Sequence, residues 1–273
     1  MSARPELPRY RTLLVDFDEG VATVTLNRPR QRNAVGDGMR EELADAYRVF
    51  GRDDRVRVIV LTGTPPAFCA GADLTSGADT FAAPGPDFSA AGVDVPAWTL
   101  PKPVIAAVNG HAIGLGLTLA LQCDIRFVAA DARYGVVQVR RGVVGDAYSH
   151  WILPRLVGIA TAAEILLGGA TFDGARAVQL GLASRVLAAD EVLPAAQELA
   201  RGIAVNTAPM SVAASKRLLW DSFDLDRAAV GKRETEIHLR LMGHDDAREG
   251  VRAFMQGRAP SWTGTPVDPT AGG

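Results

Sequence analysis

Two glycine-bearing turns in this chain offer main-chain amides to chemistry. Residues 102–124 read KPVIAAVNGHAIGLGLTLALQCD. Within them, Gly114-Leu115-Gly116 stands between an apolar run that ends at Asn109-Gly110 and a second apolar run over 117–121. Glycines at such a junction let the backbone bend sharply and let a ligand come close to the main chain. A helix starting there aims unpaired N–H groups and its positive dipole end at whatever lies in front. That device suits a phosphate, a carboxylate or an oxyanion. The same residues also suit a buried strand-turn-helix whose glycines serve packing alone. A dinucleotide site fits less well, because Leu119 stands where a third glycine belongs and no acidic residue follows at the ribose-reading distance.

Residues 58–74, VIVLTGTPPAFCAGADL, repeat the theme: an apolar strand, a turn, then Cys69-Ala70-Gly71-Ala72-Asp73. Together the two stretches resemble the crotonase (enoyl-CoA hydratase/isomerase) superfamily. The likeness runs from about Arg11 to about Trp262 and takes in TLNRPRQRNAV at 25–35, LPRLVG at 153–158 and DDAREGVRAF at 245–254. These motifs are specific for the superfamily and far less so for the reaction, since one fold hosts many chemistries.

The resemblance implies a site. The backbone N–H groups of Ala72 and Leu115 are expected to hold a thioester oxygen as it gains enolate charge. A side chain is irrelevant to a backbone donor, and loss of one such donor costs ~10²–10³ in rate. Family hydratases use two glutamates, and here Thr118 and Gln138 stand at those places. Neither titrates usefully, so two-glutamate hydration, which needs a base for water and an acid for carbon, is disfavoured. Some related members carry an acid just before the LPR helix, and Asp146 fits that position. Val143, Val144 and Trp151 are read as apolar neighbours that raise its pKa and make it a better base. Asp146 is equally suited to capping the helix that follows, and both roles can coexist. Ala70, Asp73, Gly114, Thr118, Gln138 and Tyr148 are expected to line the acyl-CoA site, Tyr148 either narrowing it or supplying a second proton donor, while His150 reads as helix packing. Ser149-His150 is set aside as a hydrolase pair, because adjacent helical residues point about 100° apart. The basic loop at Arg28, Arg30 and Arg32 is either a solvated loop or, as the family implies, a neighbour of the nucleotide, with Arg28 and Arg32 near phosphate.

Composition bounds the rest. The chain has 273 residues, 48% hydrophobic and 22% charged, which supplies a core for a globular protein. A net charge of −2 gives no general attraction to nucleic acid or to an anionic membrane. The two cysteines, Cys69 and Cys123, make no disulfide framework and read as fillers of small apolar niches. The N-terminus lacks the apolar centre of a signal peptide, and no apolar run nears the ~18 residues of a membrane span. A soluble cytoplasmic protein is expected, without metal or cofactor beyond the coenzyme A carried by the substrate.

These residues need elements to position them. Strands are expected at 12–17, 21–26, 56–61, 104–108, 125–129, 133–137 and 184–187, the first two joined by an Asp18-Glu19-Gly20 turn. Helices are expected at 38–50 with Asp37 as N-cap, then at 117–121, 148–156, 161–167, 173–180 with Gly181 following, 191–205, 209–221, 226–242 and 245–257. Residues 75–101 read as a long mobile loop that senses substrate. The fold class is α/β: by resemblance, a crotonase-like spiral of ββα units over 10–200, although no internal repeat is visible in the sequence. A helical C-terminal region for trimerisation follows over 201–258, then a tail over 259–273. A homotrimer or homohexamer is expected. The favoured reaction is double-bond isomerisation of an enoyl-CoA. The rivals are an atypical hydratase and a non-catalytic acyl-CoA-binding protein.

Overall fold

The computed structural model describes residues 7–36, 38–82 and 88–266. β1 (Leu13–Asp18) and β2 (Val21–Leu26) form the expected antiparallel hairpin, Leu13 facing Leu26 and Asp18 facing Val21. Glu19 and Gly20 between them both have positive φ, which matches the right-handed twist of a tight hairpin. α1 (Met39–Arg52) buries Met39, Leu43, Ala46, Tyr47 and Phe50, one stripe at helical spacing. Its N-cap is Gly38, with no side-chain cap bond; Asp37, read as the cap, lies outside the described residues.

A repeat hidden in the sequence appears next. β3 (Val58–Gly63) is followed by β4 (Ala67–Cys69). β5 (Val104–Val108) is followed by β6 (His111–Ile113) and α2 (Leu115–Leu121). β7 (Ile125–Ala129) is followed by β8 (Tyr134–Gly135), a 3-10 turn and α3 (Ser149–Val157). In each step the first strand joins one sheet and the second joins another. With β9 (Arg185–Leu187), the large sheet runs β1-β2-β3-β5-β7-β9, parallel from β2 onward, and the small one runs β4-β6-β8, also parallel. This is the mixed α/β spiral expected. β4, β6 and β8 are two or three residues long, too short to show a period, which is why the first two were not foreseen.

α4 (Ile159–Gly168) and α5 (Gly174–Gln179) follow α3, and Asp173 caps α5 by accepting the Arg176 N–H at 2.9 Å. β3 and β5 are buried along their whole length, as parallel strands covered on both faces must be. One cover is α6 (Val192–Asn206), whose Ala196, Ala200 and Ala204 let it lie close against the sheet. The division at residue 200 thus falls inside a continuous helix.

α7 (Pro209–Asp221), α8 (Arg227–Met242) and α9 (Asp245–Gln256) complete the chain. α7 is tied to the core by Lys216. Its buried Nζ donates to Ala97 O at 2.7 Å and Lys102 O at 2.8 Å, and pairs with Asp124 at 2.8 Å. Asp124 also accepts from the Val104 N–H and from Trp220 Nε1, each at 2.7 Å. Ala97 belongs to the long loop, whose last part is packed against the core through Val93, Ala97 and Leu100, while residues 88–90 are exposed. The first part of the tail is pinned as well: Trp262 Nε1 donates to Val205 O at 3.0 Å and the Thr263 N–H to Asp246 at 2.8 Å. Residues 267–273 lie outside the described residues.

Lys216→Ala removes one cation from beneath three acceptors and leaves the mostly enclosed Asp124, 10% exposed, without its counter-charge. It should cost about 3–5 kcal/mol, the scale of breaking a buried pair from one side. Denaturant unfolding at fixed protein concentration measures it. A loss below about 1 kcal/mol, as for a surface pair, would show that Lys216 does not anchor α7.

Candidate functional site

The small sheet brings the two glycine turns together. After β4 the chain turns at Gly71, whose φ of +93° favours glycine. The Val35 N–H donates to Gly71 O at 2.7 Å, and the Asp73 N–H donates to Val35 O at 3.1 Å. In such a parallel bridge the N–H of the residue between, Ala72, faces the other way. Leu115 is the first residue of α2, so its N–H has no acceptor inside the helix. Ala72 and Leu115 line the same two cavities, of about 360 and about 300 Å³.

This juxtaposition demands backbones almost in contact. A Cβ on Gly116 would lie 2.2 Å from Cys69 O, and one on Gly71 would lie 2.6 Å from Ile113 O. The glycines therefore serve both packing and the exposure of amides; the two readings of the sequence are not exclusive. Buried Asn33 fixes the neighbouring loop. Its Nδ2 donates to Thr64 O at 2.8 Å and Ala67 O at 2.7 Å, and its Oδ1 accepts the Arg28 N–H at 2.9 Å. Nothing had singled Asn33 out. The available signal was a polar residue of a type that tolerates positive φ, here 57°, between turn and strand.

Asp146 lines both cavities beside Ala72 and Leu115. Its Oδ1 accepts from Thr118 Oγ1 at 2.6 Å and from Gln138 Nε2 at 3.0 Å. The residues that replace the two glutamates are thus both donors to one carboxylate oxygen. Among the described residues, no other side chain donates to Oδ2. Burial raises the Asp146 pKa above the usual carboxylate value, and the Thr118 and Gln138 bonds and the Arg40 charge oppose that rise. The Asp146 side chain does not cap α3. Only its backbone carbonyl serves that helix, accepting the Ser149 N–H at 2.9 Å. Ala147 and Tyr148 follow at φ 46° and 61°, two left-handed residues that turn the chain and hold the carboxylate toward the cavities.

Other expected residues are placed differently. The Arg28 guanidinium pairs with Asp73 at 2.8 Å and donates to Ala34 O at 2.6 Å, so it latches its loop to the Ala72 turn. That pairing holds the Asp73 carboxyl below its usual range. The exposed Arg32 accepts the Ala70 N–H on its carbonyl at 3.0 Å, and its side chain is not among those lining either cavity. Ala70, Gly114 and Gln138 line the larger cavity and Asp73 the smaller, and Thr118 reaches them through Asp146. Tyr148 is not brought in. Its ring packs edge-on to Trp98, 4.9 Å between centroids, in a group with Trp151, Trp220 and Phe223. Trp151 likewise belongs to that group, whereas Val143 and Val144 do line the larger cavity with Asp146, together with Leu115, Val137 and Phe88. Burial pushes the Cys69 and Cys123 thiols up to about 12, in keeping with filler roles. Among the described residues, no group of three or more His, Cys, Asp or Glu could hold a metal ion, and no helix is long and apolar enough to cross a membrane.

A family model described as enoyl-CoA hydratase/isomerase matches residues 16–265. A probable enoyl-CoA hydratase of Mycobacterium leprae is 36% identical over 268 residues, which cover 93% of this chain and 99% of that protein. The 1,2-epoxyphenylacetyl-CoA isomerase of Escherichia coli is 34% identical, covering 92% and 98%. A solved structure, a probable enoyl-CoA hydratase/isomerase from Mycobacterium abscessus, matches with a TM-score of 0.90 at 54% identity, covering 93% and 99%.

The close approach at Gly116 is open to test by a matched pair of substitutions. Gly116→Ala drives a methyl into Cys69 O and should cost about 1–3 kcal/mol or more, as overpacking does. Gly202→Ala, in α6, meets nothing within 4 Å and should instead stabilise by up to about 1 kcal/mol. Unfolding midpoints of the two variants should move in opposite directions; equal shifts would contradict the packing described.

Proposed function

The chain belongs to the enoyl-CoA hydratase/isomerase family, and from that premise we propose that it moves a double bond along an enoyl-CoA thioester, with Asp146 as the acid/base. The observation that carries this reading is one buried carboxylate beside two main-chain amides, with titratable partners replaced by Thr118 and Gln138. Of the other carboxylates at the cavities, Asp73 is neutralised by Arg28 and Glu41 is exposed.

The chemistry follows from those groups. Converting a 3-enoyl to a 2-enoyl thioester removes a proton from C2 and returns one at C4. The Ala72 and Leu115 amides hold the oxygen of the dienolate between the two transfers. Thr118 and Gln138 occupy Oδ1, so Oδ2 takes the proton from C2 and delivers it to C4 on the same face. Burial raises the basicity of Asp146 toward that of the carbon acid and improves the match for transfer. Arg28 supports the Ala72 turn, and Arg32 and Ala70 lie on the side given to the coenzyme. Hydration is the second reading, favoured by the hydratase names among the relatives. It would need Asp146 and a bound water to do the work of one base and one acid.

Asp146→Asn keeps the shape and removes the base. Turnover of a 3-enoyl thioester should fall by ~10²-fold or more, while calorimetric affinity for acyl-CoA changes little. The linkage has a definite sign. Because the folded state raises the Asp146 pKa, its protonated form stabilises the fold at pH below the unfolded value, and that contribution is lost as pH rises through the folded value. Asp146→Asn should therefore match the wild type in melting temperature at acid pH and equal or exceed it at neutral pH. Full activity in the variant, or rapid hydration of a 2-enoyl thioester with no action on the 3-enoyl one, would remove the isomerase reading.

The same reading includes assembly into a homotrimer or homohexamer through the helical region 201–258. Leu239 and Met242 on α8 and Val251, Phe254 and Met255 on α9 are exposed, and Phe254 reaches 87%. Ile237 on α8 is buried within the subunit and takes no part in that surface. Light scattering at micromolar concentration should give three or six times 28.8 kDa; a monomer would contradict it.

A further inference from the structure

Asp146, Ala72 and Leu115 stand where two cavities meet. The larger is lined by Ala70, whose N–H is held by the Arg32 carbonyl, and by Gly114 and Gln138. On the functional reading above, on which this inference rests, that is the coenzyme side. The smaller cavity lies beyond the reaction centre, against Gly36, Met39, Arg40 and Gly92. We infer that it receives the far end of the acyl group, and that this end carries a carboxylate bound by Arg40.

Among the described residues, the Arg40 side chain has no hydrogen bond or ion pair. A guanidinium is a planar fork of five donors with no acceptor, shaped for two-point pairing with a carboxylate. The acidic groups nearby do not take that place. Asp73 is held by Arg28 at 2.8 Å; Asp94 is exposed and faces Arg48 at 3.9 Å; Glu41 is exposed to solvent; and Asp146 feels the Arg40 charge without forming an ion pair with it, its Oδ1 taken by Thr118 and Gln138. A plain alkyl end entering this cavity would strip water from the cation and give it no partner, which is unfavourable. A carboxylated end would supply the missing acceptor. Arg40 is thus a specificity residue that selects dicarboxylic acyl thioesters over monocarboxylic ones of equal length.

Saturated thioesters test this without turnover. Calorimetry on the wild type should show adipoyl-CoA binding about tenfold to a hundredfold more tightly than hexanoyl-CoA, the range of a charged hydrogen-bonded contact. The pairs succinyl/butyryl and suberoyl/octanoyl locate the reach of the side chain. Arg40→Gln should abolish the preference and leave hexanoyl-CoA affinity within about twofold of wild type, and Arg40→Lys should retain part of the preference. If the carboxylated member is never the tighter one, or if Arg40→Gln keeps the preference, the inference is overturned while the family reading stands. If no thioester binds the folded protein, the acyl-CoA reading fails and this inference fails with it.

Discussion

The rest of the site depends on how closely α2 can approach β4. Main-chain amides can serve as a pair only if the segments that carry them are nearly in contact, and a β-carbon at position 116 would lie 2.2 Å from Cys69 O. A glycine there is a steric requirement. From it follow the direction of the Leu115 amide, the turn at Gly71 and the need for Asn33 to hold the outer loop in place. The spiral of paired strands supplies the frame. Each step sends one strand to the large buried sheet and one to the small sheet, and the small sheet carries the amides.

Electrostatics is then settled by a single side chain. Asp146 sits in a largely apolar recess that opposes its charge, while two neutral donors on one oxygen favour it. The balance leaves a carboxylate that is more basic than usual yet oriented, because both side-chain donors fall on one of its two oxygens. The left-handed pair Ala147 and Tyr148 is the conformational cost of that orientation, of order 1–3 kcal/mol each. The loop segment that closes over the turn helps to sustain it, since Ala90 O accepts the Ala147 N–H at 2.7 Å.

Much of the fold was legible because the long apolar strands announce themselves. β5 and β7 have the bounds that the valine, isoleucine and alanine runs dictate, and the final helices follow from their punctuation. β4 and β6 were not legible, since three residues carry no periodicity. The amides at Ala72 and Leu115 and the carboxylate at Asp146 came from motif resemblance, and the structure brings all three to the same cavities. The side chains were harder. Arg28 looked available for phosphate, but its partner Asp73 lies forty-five positions away, a pairing that spacing cannot reveal. Tyr148 looked like a pocket wall because it follows Asp146 closely, yet its left-handed backbone swings the ring onto Trp98. Lys216 and Asn33 draw their importance from acceptors distant in the chain.

A hole made of main chain has an evolutionary corollary. No replacement at position 72 or 115, other than proline, can delete the donor, because every other residue brings the same N–H. Selection on the hole must therefore act through residues that shape it from behind, such as Gly71, Gly116 and Asn33. The side chains at 118, 138 and 146, which meet at one carboxylate oxygen, carry no such constraint and can be exchanged without moving the amides. The paired amides are inherited with the fold, while the handful of side chains around them can be exchanged one at a time.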